Sequence, residues 1–445
     1  MPDDIKRFPE TTNPVTTLLA FLFVLGVLVF IHESGHFMMA RWHGIRVITF
    51  SLGFGPKLLK WTRGATEYCI SAIPLGGYVK LAGESVEDDR TGAPDEFMSQ
   101  SKWVRFQVYV MGPVMNIGLA LILTTIVLYN GADVPLFQSS AAVIGTIAPG
   151  SAAEKAGLKV DDTIVEIAGT PTRTWDDVTM SILPKAGREL SLKLEREGQP
   201  VSTTITPASQ TKYELGDIGI LPKVRPQVAV LTPNAPAEKA GMKVGDVFIA
   251  VDGQRSLPQA KVIEIIRAHP KQPVSFTVER GGQEVTLIVT PNDNGGVGQI
   301  GAQISQFETK RIDPTFTQAI SVSAKQTYEQ STLIVKTLKG LFTRDTPVKQ
   351  LMGPVAIAEL SGNAAKLGWI ELFALMSMIS LNLGMLNLMP IPVLDGGHIA
   401  ILALEGVARR DFSIKVKERI LFAGFAMIML LMVTVIYNDV ARLFR

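Results

Sequence analysis

Four long apolar runs dominate the pattern of hydrophobic and polar positions along the chain. They extend from Val15 to about Trp42, from Val104 to Tyr129, from Leu372 to about Leu388 and from Ile420 to Tyr437. A helix crosses the hydrocarbon core of a bilayer with about 20 apolar residues, and lipid tolerates no unpaired backbone groups. The pattern therefore predicts four membrane-spanning helices.

The first run has an alternative interpretation as a cleaved signal peptide, because Lys6 and Arg7 precede it. A signal peptide ends at a small-x-small cleavage site, and no such pattern follows this run. The run instead continues without a break into charged residues, which favours a spanning helix.

Lysine and arginine are distributed unevenly among the segments that flank the runs. Residues 41–103 carry eight of them and the loop before the fourth run carries five, whereas each terminal tail carries two. Basic residues concentrate in cytoplasmic loops. We therefore expect both loops in the cytoplasm, and both termini and the long segment between the second and third runs outside.

Composition supports a membrane protein and excludes several other classes. The 445 residues are 47% hydrophobic with a mean hydropathy of +0.25, and 43 basic residues nearly balance 41 acidic ones. This balance gives no indication of a nucleic-acid partner. A single cysteine, Cys69, excludes an intrachain disulfide framework and a cysteine-rich zinc cluster, so a metal site must use the five histidines and some carboxylates.

The segment from 130 to about 310 is polar, rich in glycine and proline, and repeats itself. Residues 149–169 read PGSAAEKAGLKVDDTIVEIAG, and residues 233–253 read PNAPAEKAGMKVGDVFIAVDG, an offset of 84. The same offset aligns Arg196 with Arg280. A constant offset over separated blocks indicates two copies of one small domain, here called the first copy (131–222) and the second copy (223–310).

The run AGLKVDDTIVEIAG resembles the PDZ domains attached to bacterial proteases. PDZ domains bind an extended peptide as an added strand, so the resemblance implies two α+β domains with a peptide partner. The alternative is a pair of structural modules that merely shape access, and the residues leave this choice open.

The predicted cytoplasmic end of the first run carries His32-Glu33-Ser34-Gly35-His36. Histidines at i and i+4 lie on one face of a helix, about 6 Å apart along its axis, so both rings can meet one zinc ion. Glu33 is then placed to accept a proton from the attacking water. HExxH occurs by chance in many proteins, but ionisable residues in an apolar span are usually functional. The alternative is a pair of histidines that caps a helix at the lipid interface.

Catalytic zinc usually has three protein ligands and one open position. The cytoplasmic end of the third run, residues 382–398, reads NLGMLNLMPIPVLDGGH. Pro390 and Pro392 end the helix, and Asp395 follows directly as an oxygen donor. His398 is a rival ligand beyond two glycines, and we favour Asp395.

HExGH on one helix with NxxPxPxxDGGH on a later one resembles the site-2 protease family of intramembrane metalloproteases, and the resemblance spans nearly the whole chain. It implies Zn²⁺ bound by His32, His36 and Asp395, with Glu33 as catalytic base. It also implies that Asn382 and Asn387 contact the substrate backbone or stabilise the transition state. Helix–helix hydrogen bonding remains an equally good explanation of the two asparagines.

Three further segments fit this resemblance. Residues 47–55 and 67–80 predict strands, and the family has a membrane-dipping β-sheet here whose edge pairs with an unwound substrate helix, which implies substrate binding at Gly53 and Gly55. Gly112-Pro113-Val-Met-Asn116 resembles a family motif packed against the catalytic helix, and we interpret it as plain packing. Residues 314–342 are amphipathic, and we expect them along the outer membrane face.

The predicted fold is a polytopic α-helical membrane protein with four transmembrane helices, a membrane-dipping β-sheet and two extracytoplasmic α+β PDZ domains. Its predicted segments are 1–42, 43–103, 104–130, 131–222, 223–310, 311–368, 369–397 and 398–445.

The predicted function is intramembrane zinc endopeptidase activity in the bacterial inner membrane, on a transmembrane peptide substrate within the lipid bilayer. The resemblance suggests a single-span anti-sigma factor already shortened outside by another protease, or a remnant signal peptide. The alternatives are a catalytically silent scaffold whose PDZ pair tethers partners, and a metal-transporting bundle, which would carry polar groups along several helices.

Overall fold

A computed structural model describes residues 13–84, 91–210, 215–343 and 351–443. The sequence predictions that involve Lys6, Arg7, Arg90 and Arg445 lie outside these residues. The chain divides into two compact units. The helical unit comprises residues 1–131 and 313–445, and the repeat unit comprises residues 132–312.

Helices make up most of the helical unit, and four short ones lie in the repeat unit. In chain order they are α1 (Pro14–Trp42), α2 (Lys102–Tyr129), α3 (Ala152–Lys155), α4 (Trp175–Ile182), α5 (Pro236–Lys239), α6 (Gln259–Ala268), α7 (Phe316–Phe342), α8 (Pro354–Leu367), α9 (Trp369–Asn387), α10 (Asp395–Val407) and α11 (Ile414–Leu443).

Two long strands belong to the helical unit, β1 (Val47–Arg63) and β2 (Thr66–Leu81). The strands of the repeat unit are β3 (Ala132–Pro135), β4 (Ile144–Ile147), β5 (Thr163–Ile167), β6 (Thr170–Pro171), β7 (Leu190–Arg196), β8 (Gln199–Ile205), β9 (Ala208–Gln210), β10 (Leu215–Asp217), β11 (Ile220–Pro222), β12 (Gln227–Leu231), β13 (Val247–Val251), β14 (Gln254–Arg255), β15 (Val274–Arg280), β16 (Gln283–Val289), β17 (Asn292–Asn294), β18 (Val297–Gln299), β19 (Ala302–Ser305) and β20 (Thr309–Ile312).

Among the described residues, four helices are long and apolar enough to cross a membrane, namely α1, α2, α9 and the stretch Lys415–Ala441 of α11. They coincide with the four apolar runs, so this prediction is confirmed. The start of α1 is fixed by Asn13, whose Oδ1 accepts a hydrogen bond from the N–H of Val15 at 3.0 Å, and by Pro14 in the first helical turn. Ser101 caps α2 in the same way through the N–H of Val104, at 3.3 Å.

Small residues allow α2 to lie close to its neighbours. A Cβ atom at Gly35 of α1 would stand 2.5 Å from the carbonyl oxygen of Met111, so only glycine fits at this crossing. On the other side of α2, the hydroxyl of Ser380 in α9 donates to the carbonyl of Asn116 at 2.8 Å. Apolar side chains complete the packing of these helices: Val24, Leu28, Leu123, Leu372 and Met376.

The strands β1 and β2 form an antiparallel hairpin of unusual length, 17 and 16 residues. Much of its apolar surface is exposed, including Phe54, Leu58, Leu59, Trp61 and Ile73. An exposed apolar hairpin next to membrane-spanning helices agrees with the expected immersion in lipid, which stays a prediction.

The repeat unit shows the same order of elements twice. The first copy contains β4 to β11 and the second contains β12 to β19, and their cores use equivalent positions at the offset of 84 residues. Ile164, Val178 and Leu192 of the first core correspond to Phe248, Val262 and Phe276 of the second. At the base of the unit, β3 pairs antiparallel with β20 and joins its two chain ends.

Two segments add detail to the sequence predictions. The prolines end α9 as predicted, and the region after them is helical, since α10 begins at Asp395. Residues 316–342 form the predicted helix α7, and the hydroxyl of Ser323 donates to the carbonyl of Leu121 in α2 at 2.9 Å. The place of α7 along a membrane face stays a prediction.

Candidate metal centre and active site

Helix α1 brings the three ionisable residues of its HExxH motif to a buried position. His32 and Glu33 are 8% and 9% exposed. The Nε2 atoms of His32 and His36 lie 3.2 Å apart, as the i, i+4 spacing predicts. The two rings therefore converge on one point beside the helix.

A carboxylate from a distant part of the chain reaches the same point. Helix α9 ends at Asn387, and the turn that contains Pro390 and Pro392 leads to Asp395 at the start of α10. Asp395 Oδ2 lies 3.1 Å from His32 Nε2, and its Oδ1 lies 3.4 Å from His36 Nε2.

Two glycines after the aspartate make this placement possible. Gly396 packs directly against the carbonyls of Leu388 and Met389, and Gly397 packs against the carbonyl of Ile391. A Cβ atom at either glycine would overlap these backbone atoms. The DGG sequence therefore folds α10 back onto the preceding turn and directs the Asp395 side chain to the histidines.

The three side chains fit a catalytic zinc ion. Imidazole nitrogen and carboxylate oxygen are zinc donors, and catalytic sites use three protein ligands. Ligand atoms that lie 2.0–2.2 Å from a tetrahedral zinc are separated from each other by roughly 3.3–3.6 Å. The observed separations of 3.1, 3.2 and 3.4 Å are close to these values. Within the described residues, this is the group of histidine and acidic side chains that could hold a metal ion.

A cavity of about 560 Å³ opens beside the three side chains, and Glu33 lines it. Across the described residues, the Glu33 carboxylate has no hydrogen-bond or ion-pair partner. A buried carboxylate that faces a cavity is available to a water or substrate atom there. Backbone from β2 also lines the cavity, since a Cβ at Gly77 would lie 3.0 Å from Cγ of Glu33.

The outer nitrogens of both histidines contact α2. His36 donates from Nδ1 to the carbonyl of Val108 at 2.8 Å, and the amide Nδ2 of Asn116 lies 3.1 Å from Nδ1 of His32. Gly112 lies midway between them, where a Cβ would collide with the Nε2 atoms of both rings. One face of α2 thus forms the wall behind the site.

By family resemblance, the sequence analysis placed this segment against the catalytic helix, but it interpreted the glycine and proline as plain packing and did not predict that Gly112 and Asn116 contact the histidines. The four-residue spacing of positions 108, 112 and 116 was visible in the sequence. The carbonyl of Val108 has no side-chain signature, so that contact could not be found there.

The two predicted asparagines lie in different surroundings. Asn387 lines the cavity, and its Nδ2 lies 3.4 Å from His32 Nε2. Asn382 donates to the carbonyl of Met378 on its own helix at 2.9 Å and is not among the described residues that line the cavity. His398, the rival ligand, lines the cavity and stacks on Tyr109 at 4.8 Å.

Gly53 and Gly55 lie in β1 with φ angles of 90° and 82°, which favour glycine. A Cβ at Gly53 would lie 2.8 Å from the carbonyl of Ile73 in β2. Phe54, between the two glycines, lines the cavity. The glycines therefore shape the strand that carries a cavity residue, and their role in substrate binding stays a prediction.

Comparison with known proteins places the site in a family context. The model of peptidase family M50 matches residues 20–431. The chain is 32% identical to a protein of Ralstonia nicotianae that is named as a zinc metalloprotease, over 96% of this chain and 99% of the relative. It is also 32% identical to the regulator of sigma-E protease RseP of Escherichia coli K12, over 96% of this chain and 98% of the relative. The corresponding protease of Salmonella typhi is matched at the same identity and with the same coverage.

Proposed function

This chain belongs to peptidase family M50, the site-2 proteases, and is a zinc metalloprotease, and we propose that it cuts its substrates inside the membrane. The family resemblance found in the sequence is thereby confirmed, and relatives named regulator of sigma-E protease match nearly the whole chain. The observation that carries the proposal is the convergence of His32, His36 and Asp395 beside membrane-spanning helices.

In this proposal, His32, His36 and Asp395 hold the zinc ion. Zinc supplies a Lewis acid that polarises the scissile carbonyl and makes water more acidic. Two imidazoles and one carboxylate leave the bound ion a net positive charge, which suits both tasks.

Glu33 is the proposed general base. Its carboxylate lines the cavity next to His32, has no competing partner among the described residues, and can accept a proton from the attacking water. Cleavage of the C–N bond leaves an amine, to which Glu33 can return that proton. The hydrolysis then balances without a further acid.

We propose that the substrate enters as an extended strand. A helix hides its peptide bonds in internal hydrogen bonds, and addition to a sheet edge exposes one of them. Backbone of β2 from Gly76 to Val79 lines the cavity, and so do Phe54 of β1 and the amide of Asn387. Strand addition to this hairpin would bring a peptide bond of the substrate beside Glu33. Gly53 and Gly55 would allow the positive φ angles of β1 that keep Phe54 and the hairpin at the cavity.

The proposed substrates are single-span membrane proteins. Relatives named as regulator of sigma-E protease suggest an anti-sigma factor that another protease has already cut outside, and remnant signal peptides are a second group. We further propose that the protein resides in the bacterial inner membrane, and that the two copies are periplasmic PDZ domains that limit the size of entering substrates. The silent scaffold is not favoured, since Glu33 and Asp395 both line the cavity.

Cleavage of a transmembrane substrate by the purified enzyme in lipid nanodiscs tests the proposal. Removal of zinc by a chelator should abolish cleavage, and added zinc should restore it. The control is a variant of this substrate with charged residues inserted into its membrane span, which disfavour its insertion into the bilayer, and it should not be cut. Cleavage that persists after complete removal of zinc would contradict the proposal.

A further inference from the structure

The two histidines of the proposed zinc site are held by partners of different chemistry. The partner of His36 Nδ1 is the carbonyl of Val108, at 2.8 Å, and a carbonyl can only accept. Nδ1 of His36 must therefore carry the proton, and its Nε2 keeps a free lone pair. The neutral ring of His36 is therefore in the tautomer that binds metal through Nε2.

The partner of His32 Nδ1 is an amide, which can donate or accept. As the structure has it, Nδ2 of Asn116 donates to Nδ1 at 3.1 Å. Nδ1 is then the acceptor, so in the neutral ring Nε2 carries the proton and donates to Asp395 Oδ2 at 3.1 Å. Nδ2 of Asn387 lies 3.4 Å from this Nε2, so in this tautomer the Asn387 amide must turn its oxygen to the ring. In this tautomer, Nε2 has no lone pair for a metal ion.

The other end of the Asn116 amide bears on the same choice of orientation. Asn116 is 0% exposed, and its Oδ1 is buried without a hydrogen-bond partner among the described residues. A buried acceptor without a donor costs free energy. A half-turn of the amide places Oδ1 beside Nδ1 of His32, and Oδ1 can then accept a proton from that nitrogen.

The position of Asn116 is fixed from both sides, so the amide can rotate but not withdraw. Its backbone carbonyl accepts a hydrogen bond from Ser380 of α9 at 2.8 Å, and Gly384 of the same helix would place a Cβ atom 3.4 Å from Cβ of Asn116. The amide of Asn116 therefore contacts His32 in either orientation, with its nitrogen or with its oxygen toward the ring.

We propose that Asn116 is a positioning residue that determines which nitrogen of His32 is available to zinc. With Oδ1 toward the ring, Nδ1 keeps the proton and Nε2 binds the metal. With Nδ2 toward the ring, Nε2 keeps the proton and bonds to Asp395. The inference rests on the proposed function, because it requires His32 as a zinc ligand.

Three substitutions separate this role from packing. Asn116→Leu keeps the branched shape and the number of heavy atoms and removes the acceptor, and loss of such an outer partner lowers zinc affinity by about 10- to 100-fold. Asn116→Asp can only accept, so zinc affinity should remain near that of the wild type. The matched control is Ser377→Ala, which removes a 2.9 Å hydrogen bond to Ala120 on the same α2–α9 contact without touching His32.

Zinc affinity is measured on the purified full-length protein by competition with a chromophoric chelator. Wild-type affinity in Asn116→Leu would overturn the proposal, and so would an Asn116→Asp protein that binds zinc as weakly as Asn116→Leu. Asp395→Ala is run alongside. Its loss of zinc supports the ligand set, whereas zinc retained in Asp395→Ala would overturn the proposed function on which the inference depends.

A measurement on the unmodified protein avoids any folding defect of the variants. With ¹⁵N-labelled histidine and zinc bound, the nitrogen spectrum should show Nδ1 of His32 protonated and Nε2 coordinated. A metal-bound Nδ1, or a protonated Nε2 in the zinc-loaded protein, would overturn the proposal.

Discussion

Both units of the molecule bury carboxylates, and they satisfy them in different ways. In the repeat unit, the side chains of Asp162 and Asp246 are 1% exposed, and each forms a two-pronged ion pair with an arginine. Arg196 contacts both oxygens of Asp162 at 2.7 Å, and Arg280 contacts those of Asp246 at 2.7 and 2.6 Å. Every lone pair that faces the protein is used, so these acids are structural.

In the helical unit, Glu405 is likewise paired, with Lys417 at 2.7 Å, but the two acids beside the HExxH histidines have no such cation. Across the described residues, Asp395 faces two histidine nitrogens, and Glu33 faces a cavity without a partner of its own. Neither has an arginine or lysine beside it. Acids of this kind retain the capacity to bind a metal ion or a water molecule, which is why the chemistry is expected here and not in the repeat unit.

The largest effect should follow from removal of the free carboxylate. Glu33→Gln keeps the size of the side chain but cannot accept a proton, so cleavage should fall by about 10²- to 10⁴-fold. Zinc content should not change, because Glu33 is not a ligand in this account. The cleavage rate is measured with a transmembrane substrate, and the zinc content by metal analysis of the same preparation. Cleavage at the wild-type rate would remove Glu33 from the mechanism.

The paired acid of the repeat unit should respond in stability and not in catalysis. Arg196→Met leaves the buried Asp162 without its ion-pair partner, so the first copy should lose stability. Hydrogen exchange in β5 and β7 should accelerate, while zinc content stays the same. The control on the same strand is Lys193→Met, whose exposed pair with Glu166 contributes about 0–1 kcal/mol. Equal exchange rates in the two variants would contradict the structural role.

The same pair predicts a dependence on pH. The hydrogen bond from Arg196 lowers the pKa of Asp162 below its usual value. Its stabilisation is therefore complete above the ordinary aspartate pKa of about 3.9, and it is lost as the pH falls from there through the lowered pKa. Exchange in β5 should accelerate over this acidic range in the wild type. In Arg196→Met, that component of the pH dependence should be smaller, with the hydrogen bond from the Lys159 N–H still lowering the pKa of Asp162.

A smaller effect is expected at the wall behind the histidines. Gly112→Ala places a methyl group against both Nε2 atoms, and we expect zinc affinity to fall by roughly 10- to 100-fold, as for other changes beside metal ligands. Gly118→Ala on the same helix has nothing within 4 Å and serves as the control. Chelator competition compares the two. Equal affinity in both variants would show that the wall does not shape the site.

The smallest effect on the chemistry should come from removal of the repeats. Residues 138–306 can be deleted because β3 and β20 pair and hold the two ends together. If the copies limit substrate size, cleavage of a pre-trimmed substrate should stay nearly unchanged, and an untrimmed substrate should become cleavable. A recruiting role predicts weaker cleavage of the trimmed form. Rates for both substrates on the deleted enzyme distinguish the two roles.

The helices and the cluster of His32, His36 and Asp395 were predictable because their signals are local. Length and composition define spanning helices, and the i, i+4 spacing of His32 and His36 fixes their shared face. Asp395 follows two prolines that end a helix, so it had to lie near the end of that span. The family is confirmed, and the individual roles of these residues stay predictions.

The remaining features depend on how the helices are rotated against each other, which no local pattern records. The contact of Val108 with His36 arises from the close crossing of α1 and α2. The start of α10 had no clear signal because consecutive glycines favour no helix, whereas Gly396 and Gly397 are needed here for close packing. Periodicity alone could have separated the asparagines, since residues five apart, such as Asn382 and Asn387, point about 140° apart on a helix.

Metal analysis of a single pair of variants tests the central claim most directly. The purified wild-type protein should contain about one zinc ion per chain. Asp395→Ala should lose most of it, since it removes one of three ligands, and His398→Ala should retain it, since His398 stacks on Tyr109. An Asp395→Ala protein with as much zinc as the wild type would contradict the account.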